Sequence, residues 1–441
     1  MIDITGSSDA LGPTPMAVEG PARDEPFFLR GRRVRVVGKE HAGLQEVASG
    51  EAGMMAGGTS TAPPAGHVRL DPGLVTRSWS DGGAERTWTA LALPLLVWEY
   101  DGPQSATLTW RTPVGAGASI DRSDDGGWAV SCGNGRRVRF VAQAGTLAAR
   151  LEDGAVQFAF PYQSGARLVA LAAEDDADER RTLDHLTRRG VAGLASQRAQ
   201  HAVHLSQFGA RLRTPDAAID RAFSWAAFLC DAASGDAADS HAAMHVARGL
   251  LAAGLRDGVR AEARALRRRG TPSAWREALL RRWVGVDTDA DCSAAEGHTV
   301  GFLARLREAG ALLDSRSAEL LGPDPGRAAT VLVDGVQGLF GMRPDGANDA
   351  LALEPALPDA WPAMALDRIR VGSAVLDVEV RRRPSATVVA LRLRSGGPFI
   401  ITAGLPDAAV TQVDLDDVLL PAPRARFEAR HEHKLVFRHD E

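Results

Sequence analysis

Between His67 and Ala173, apolar residues recur at every second position in short runs, with Gly, Asp or Pro between the runs. This period of two predicts half-buried strands. The runs are Val68–Leu70, Leu74–Trp79, Glu85–Leu93, Ala106–Trp110, Trp128–Ser131, Arg137–Val141, Leu147–Leu151, Val156–Phe160 and Arg167–Leu171, with Arg33–Val37 ahead of them. Many short strands at this spacing predict a large antiparallel sandwich. Gly50–Gly66 is small, flexible sequence and predicts a loop.

At Asp175 the period changes. Asp178–Phe208 is charged and Ala-rich, with Leu183, Leu186, Val191, Leu194, Val203 and Leu205 at helical spacings and Gly190 and Gly193 as interruptions. The pattern predicts a helical linker in two pieces. Thr214-Pro215-Asp216 reads as an N-cap, a first-turn proline and a first-turn acid, opening a helix to Cys230. Further helices are expected over Ser240–Ala253, Leu255–Arg269 and Thr271–Trp283. A capping box, Ser293 to Glu296, opens one to Leu313, and another covers Gly326–Leu339.

From Leu351 the alternation returns, in Ile369–Val371, Val375–Val380, Thr387–Leu393, Phe399–Thr402, Thr411–Val413, Arg426–Ala429 and Leu435–Phe437. These predict a second, smaller sandwich. The join is Gly335–Trp361, punctuated by Gly338, Gly341, Pro344, Gly346, Pro355 and Pro358. Glycine admits positive φ and proline removes a donor, so this stretch reads as a helix end, a turn and a first strand.

The 441 residues, 45% apolar and 24% charged, suit a globular chain of about three domains. A net charge of -5 argues against a nucleic-acid partner. Three distant cysteines, Cys132, Cys230 and Cys292, give neither metal spacing nor a disulfide framework. No basic and apolar leader pattern opens the chain, and no run approaches the roughly 18 apolar residues a membrane helix needs. The expectation is a cytoplasmic protein without membrane contact.

The join carries a family resemblance. Gly338-Leu-Phe-Gly-Met-Arg-Pro-Asp345, then Leu351-Ala-Leu-Glu-Pro-Ala-Leu-Pro-Asp-Ala-Trp361, Ile369–Gly372 and Leu376–Glu379 resemble the exit from the helical barrel of six-hairpin, (α/α)6, glycosidases. That group includes phosphorylases and bacterial glycogen-debranching, amylo-α-1,6-glucosidase-like proteins. Leu212–Trp225 is similar to the barrel entry. The resemblance implies a multidomain β + α + β chain. An N-terminal antiparallel β-sandwich (27–174) follows a flexible start (1–26), and a helical linker (175–213) leads to an α/α-hairpin, toroid-like domain (214–340). A small C-terminal β-sandwich (341–441) closes the order. The family's barrel uses twelve helices, whereas Asp216–Phe340 spans about 125 residues with about six, so the toroid is truncated. The uncovered helix faces are expected to pack on the sandwich or on a second copy in a homodimer.

The resemblance implies a carbohydrate partner, an α-linked glucan or oligosaccharide, and carboxylate acid/base catalysis without a cofactor. Acids at helix ends are the candidates, and Asp287–Glu296 is their densest run. Glu296, Asp291 and Asp239 are the candidate catalytic carboxyls, with Trp275 and Trp283 as stacking platforms for sugar C–H faces. The competing reading makes Ser293 and Glu296 a capping box and Asp291 a first-turn acid. His241 and His245 share a helix face and His298 lies downstream, but no recognised metal motif is completed, and no metal is expected. The alternative to an enzyme is a relative that has lost catalysis and binds carbohydrate or assembles with a partner. Trp79, Trp88, Trp98, Trp110 and Trp128 read as sandwich core, and Gly133-Asn134-Gly135 as a hairpin turn.

Overall fold

A computed structural model describes residues 16–49, 54–103, 105–123, 127–143, 147–234, 240–260, 298–321, 324–406, 410–420 and 423–439. The chain divides into two compact units. The first is Met1–Val203 together with Arg316–Pro323, and the second is His204–Ser315 with Asp324–Glu441. β-Sheet dominates both, and nearly all strand pairs are antiparallel.

The first unit holds a nine-stranded and a seven-stranded sheet. Strand Leu95–Asp101 is central to the larger one, between Ala84–Thr89 and Ala166–Ala173. Its alternate side chains serve two layers. Trp98 meets the Phe160 and Tyr162 rings of the second sheet at 6.1 and 4.7 Å. Leu95 and Val97 join Trp88 in a core with Leu186, Val191, Leu194 and Ala195 of helix α1 (Asp176–Phe208). Burial on both faces removes the polar half of the alternation, which is why this strand escapes a period-two reading.

Trp88, Trp98 and Trp110 are fully buried, as core positions should be. Helix α1 kinks at Gly190, whose φ of 65° and ψ of 174° are non-helical, at one of the two glycines that interrupt its apolar spacing. Further strands stand where none was expected, among them the following two. Val18–Pro21 pairs with His67–Asp71, within the stretch read as a flexible start. Met54–Ser60, inside the predicted Gly50–Gly66 loop, pairs with Gly43–Ser49 and Ala106–Pro113. Backbone ladder bonds hold a strand even where glycines leave no side-chain pattern to read.

The second unit combines helices with two sheets. Its described helices include α2 (Ala217–Ala233), α3 (Ser240–Ala252), α4 (His298–Asp314) and, after the short α5 (Ala318–Leu321) of the first unit, α6 (Gly326–Val333). Asp216, not Thr214, caps α2, its carboxylate accepting from the Ala218 N–H at 3.1 Å. Thr214 instead donates its backbone N–H to Asp220. Small residues bring the helices close. A Cβ on Gly249 of α3 would lie 2.8 Å from Ala329 Cα of α6, and one on Gly310 of α4 would lie 3.0 Å from Ala218 of α2. A seven-stranded sheet runs from Arg211–Arg213 and Ala363–Val371 to Val418–Leu420. In the four-stranded sheet, Ala350–Leu353 pairs in parallel with Phe399–Ala403. No described helix is long and apolar enough to cross a membrane.

Candidate functional site

Helix α6 does not stop at Val333. It passes directly into a π-helical turn, Asp334–Gly338, in which the Leu339 N–H donates to the Asp334 carbonyl at 3.0 Å. Such widened turns are rare and often mark functional positions. Two glycines let neighbouring rings close on this backbone. A Cβ on Gly335 would lie 2.8 Å from the Phe223 ring of α2, and one on Gly338 would lie 2.5 Å from the Phe302 ring of α4.

The turn buries Asp334, which is 3% exposed. Arg305 of α4 grips its carboxylate with both arms, Nε to Oδ2 at 2.6 Å and Nη2 to Oδ1 at 3.0 Å. The same guanidinium lies 4.7 Å from the centroid of the Phe302 ring, and it keeps one face in solvent. From α3, Arg248 donates to Gln337 Oε1 at 3.4 Å. Three helices thus bring one carboxyl, two guanidiniums, an amide and an aromatic ring together.

Burial is the largest influence on Asp334 and pushes its carboxyl above the usual carboxylate range. The hydrogen bonds and charge of Arg305, and the charge of Arg248, oppose that push without cancelling it. The carboxylate in turn holds the Arg305 guanidinium more firmly protonated. A carboxyl poised in this way can carry a proton at higher pH than an exposed acid can. Asp220 is perturbed too, pushed up to about 6 by burial, with the Thr214 backbone and hydroxyl bonds opposing. Its bonds close the turn that opens α2, which is a structural task.

The acids and rings singled out by sequence, Glu296, Asp291, Asp239, Trp275 and Trp283, lie outside the described residues, as do the side chains of His241 and His298. Helix α4 begins at His298, two residues after Glu296, and carries Phe302 and Arg305 in its first two turns. Asp334 was not among the sequence candidates. Its one local signal is a lone acid between Val333 and Val336 in an otherwise apolar helix end. Among the described residues, no group of three His, Cys, Asp or Glu side chains could hold a metal ion.

No protein-family model and no curated protein matches the chain. Solved structures give distant likenesses. A protein described as a kojibiose phosphorylase from the human microbiome has 6% identity and a TM-score of 0.42, over 96% of this chain and 92% of its own. A family GH92 glycosyl hydrolase has 11% identity and a TM-score of 0.40, over 76% and 64%. A bacterial glucoamylase solved with acarbose has 9% identity and a TM-score of 0.38, over 73% and 69%. At these scores and identities the likenesses assign no activity.

Proposed function

We propose that the protein is carbohydrate-active, of the six-hairpin glycosidase type with a shortened α/α helical domain, and that it acts on an α-linked glucan or oligosaccharide. The observation that carries this reading is the carboxyl of Asp334 buried in a π-helical turn, at the head of the stretch whose sequence resembles a glycosidase barrel exit. Asp334 is the proton-bearing group. Arg305 and Arg248 neutralise charge that develops beside it, and Gln337 orients Arg248.

Glycosidic cleavage by paired carboxyls needs a second acid roughly 5 to 9.5 Å from the first. Glu296 and Asp291, on the segment leading into α4, are the proposed source, with Asp239 as the third candidate. Trp275 and Trp283 would supply the stacking surface.

A second reading rests on a different observation. Both Asp334 oxygens are taken up by Arg305, as in a structural ion pair, and the helical segment is short for twelve helices. On that reading the protein binds saccharide, or assembles with a partner, without turnover.

The deciding experiment screens hydrolysis and phosphorolysis of α-linked disaccharides and glucans with the full chain, beside Asp334→Asn, Glu296→Gln and Asp291→Asn. Turnover lost in Asp334→Asn and in one of the other two supports the enzyme. Saccharide binding without turnover in the wild type supports the second reading. Neither binding nor turnover across the panel overturns both.

A further inference from the structure

The C-terminal sheet carries a second cluster, far in chemistry from the carboxyl site. His431 sits one residue before strand Glu432–His439, and His433 is the second residue of that strand. Residues two apart in an extended chain project to one side. The two imidazoles are neighbours, with ring centroids 4.9 Å apart and planes inclined by 30°.

His433 is oriented by its surroundings. Its Nδ1 lies 2.7 Å from Asp416 Oδ2. An ionised carboxylate only accepts, so the proton of the neutral ring sits on Nδ1, and Nε2 is the accepting nitrogen. Asp416 is fixed in turn, since its Oδ1 accepts the Lys434 N–H at 2.8 Å and its own N–H donates to the Lys434 carbonyl at 2.9 Å. The Phe427 ring, 5.0 Å away by centroids, stands against the same imidazole. The contact on Nε2 is the Arg430 backbone N–H at 3.4 Å, a long bond that competes weakly for the lone pair. The Arg430 guanidinium is drawn instead to Glu428, at 2.6 Å.

We propose that His431 and His433 chelate a first-row divalent transition-metal ion of the zinc and copper class. A carboxylate that accepts from one imidazole nitrogen while the other faces the metal is the usual outer-shell support of a histidine ligand. Two neutral imidazoles select Zn2+, Cu2+ or Ni2+ over Mg2+ and Ca2+, which take oxygen ligands. Among the described residues no third protein ligand completes the set, so water fills the remaining positions.

The test uses the tag-free full chain, stripped with a chelator and titrated with Zn2+ alone, Cu2+ alone and Mg2+ alone in a calorimeter. One equivalent of Zn2+ and a tighter equivalent of Cu2+ are expected, with no Mg2+ binding. His431→Ala, whose side chain is exposed, should fold normally and lose that equivalent. Asp416→Asn should weaken it by about 10- to 100-fold. The eleven histidines of the chain make His245→Ala the control, and it should bind as the wild type does. Absence of Zn2+ and Cu2+ binding overturns the assignment. So does an equivalent that survives His431→Ala, or one that His245→Ala removes.

Discussion

Arg316 and Glu40, 276 residues apart in sequence, form a buried two-armed ion pair in the first unit, with Nε to Oε1 at 2.6 Å and Nη2 to Oε2 at 3.0 Å. Glu40 is fully buried and the Arg316 side chain is 2% exposed. The Arg23 N–H also donates to Glu40, and Arg316 donates to the Pro21 carbonyl. Removing one partner leaves a charge without compensation in a dry environment, which costs about 3–5 kcal/mol. Arg316→Met should therefore lower the denaturation free energy by about that amount, and Arg316→Met with Glu40→Gln should recover part of it. A loss within about 0.5 kcal/mol in the single variant would contradict the burial of the pair.

Asp220 makes stability depend on pH. Its carboxyl is pushed up to about 6 in the folded chain, from an ordinary 3.8 when unfolded. Between these values the folded state holds a proton that the unfolded state has released, so stability falls as pH rises through the window. The contribution is complete below about pH 4 and gone above about pH 6. Urea denaturation at a series of pH values should show a shallower fall for Asp220→Asn than for the wild type. Parallel curves would contradict it. Asp178 acts in a separate window. Burial pushes its carboxyl up, but the Arg33 bonds outweigh that and lower it, so its contribution is lost only as the medium turns strongly acidic.

Arg305 restrains the Asp334 carboxyl. Without the guanidinium, burial acts nearly unopposed and the carboxyl should titrate at still higher pH. The stability difference between Arg305→Met and the Arg305→Met, Asp334→Asn double variant should then change with pH at higher values than the difference between wild type and Asp334→Asn. Where turnover is found, the ascending limb of its pH profile should move with it. Identical pH dependence in the two backgrounds would remove the electrostatic coupling.

Gly341 should tolerate no side chain. Its φ is +56°, and a Cβ would lie 2.2 Å from the Glu354 carbonyl oxygen, which is backbone and cannot swing away. Gly341→Ala should destabilise by about 2 kcal/mol or more, since strained φ and a backbone clash add together. Gly397→Ala, with open space at its Cβ, is the reference and should change little. Equal midpoints for the two variants in thermal unfolding would count against the turn as drawn.

Much of the fold was legible because local chemistry and tertiary structure agree in most places. The break in α1 is visible as Gly190, and helices Ala217–Ala233 and Ser240–Ala252 lie where the apolar spacing put them. The exceptions have physical causes. Leu95–Asp101 is buried on both faces and shows no alternation, and Met54–Ser60 is laddered to two neighbouring strands where its glycines carry no pattern. Asp216 takes the cap in place of Thr214, whose hydroxyl is engaged by the Asp216 carbonyl and the Asp220 carboxylate. Asp334 was hidden for another reason. Its significance comes from Arg305, twenty-nine positions earlier, and no local spacing rule links the two.

The first unit is not one stretch of chain, because Arg316–Pro323 belongs to it while the residues on either side belong to the second. A gene fragment ending at residue 203 would encode a sandwich with Glu40 buried and its cation missing. The two units therefore cannot be exchanged between proteins by a single recombination point. A substitution at Arg316 is felt at Glu40, whose codon lies 276 codons upstream.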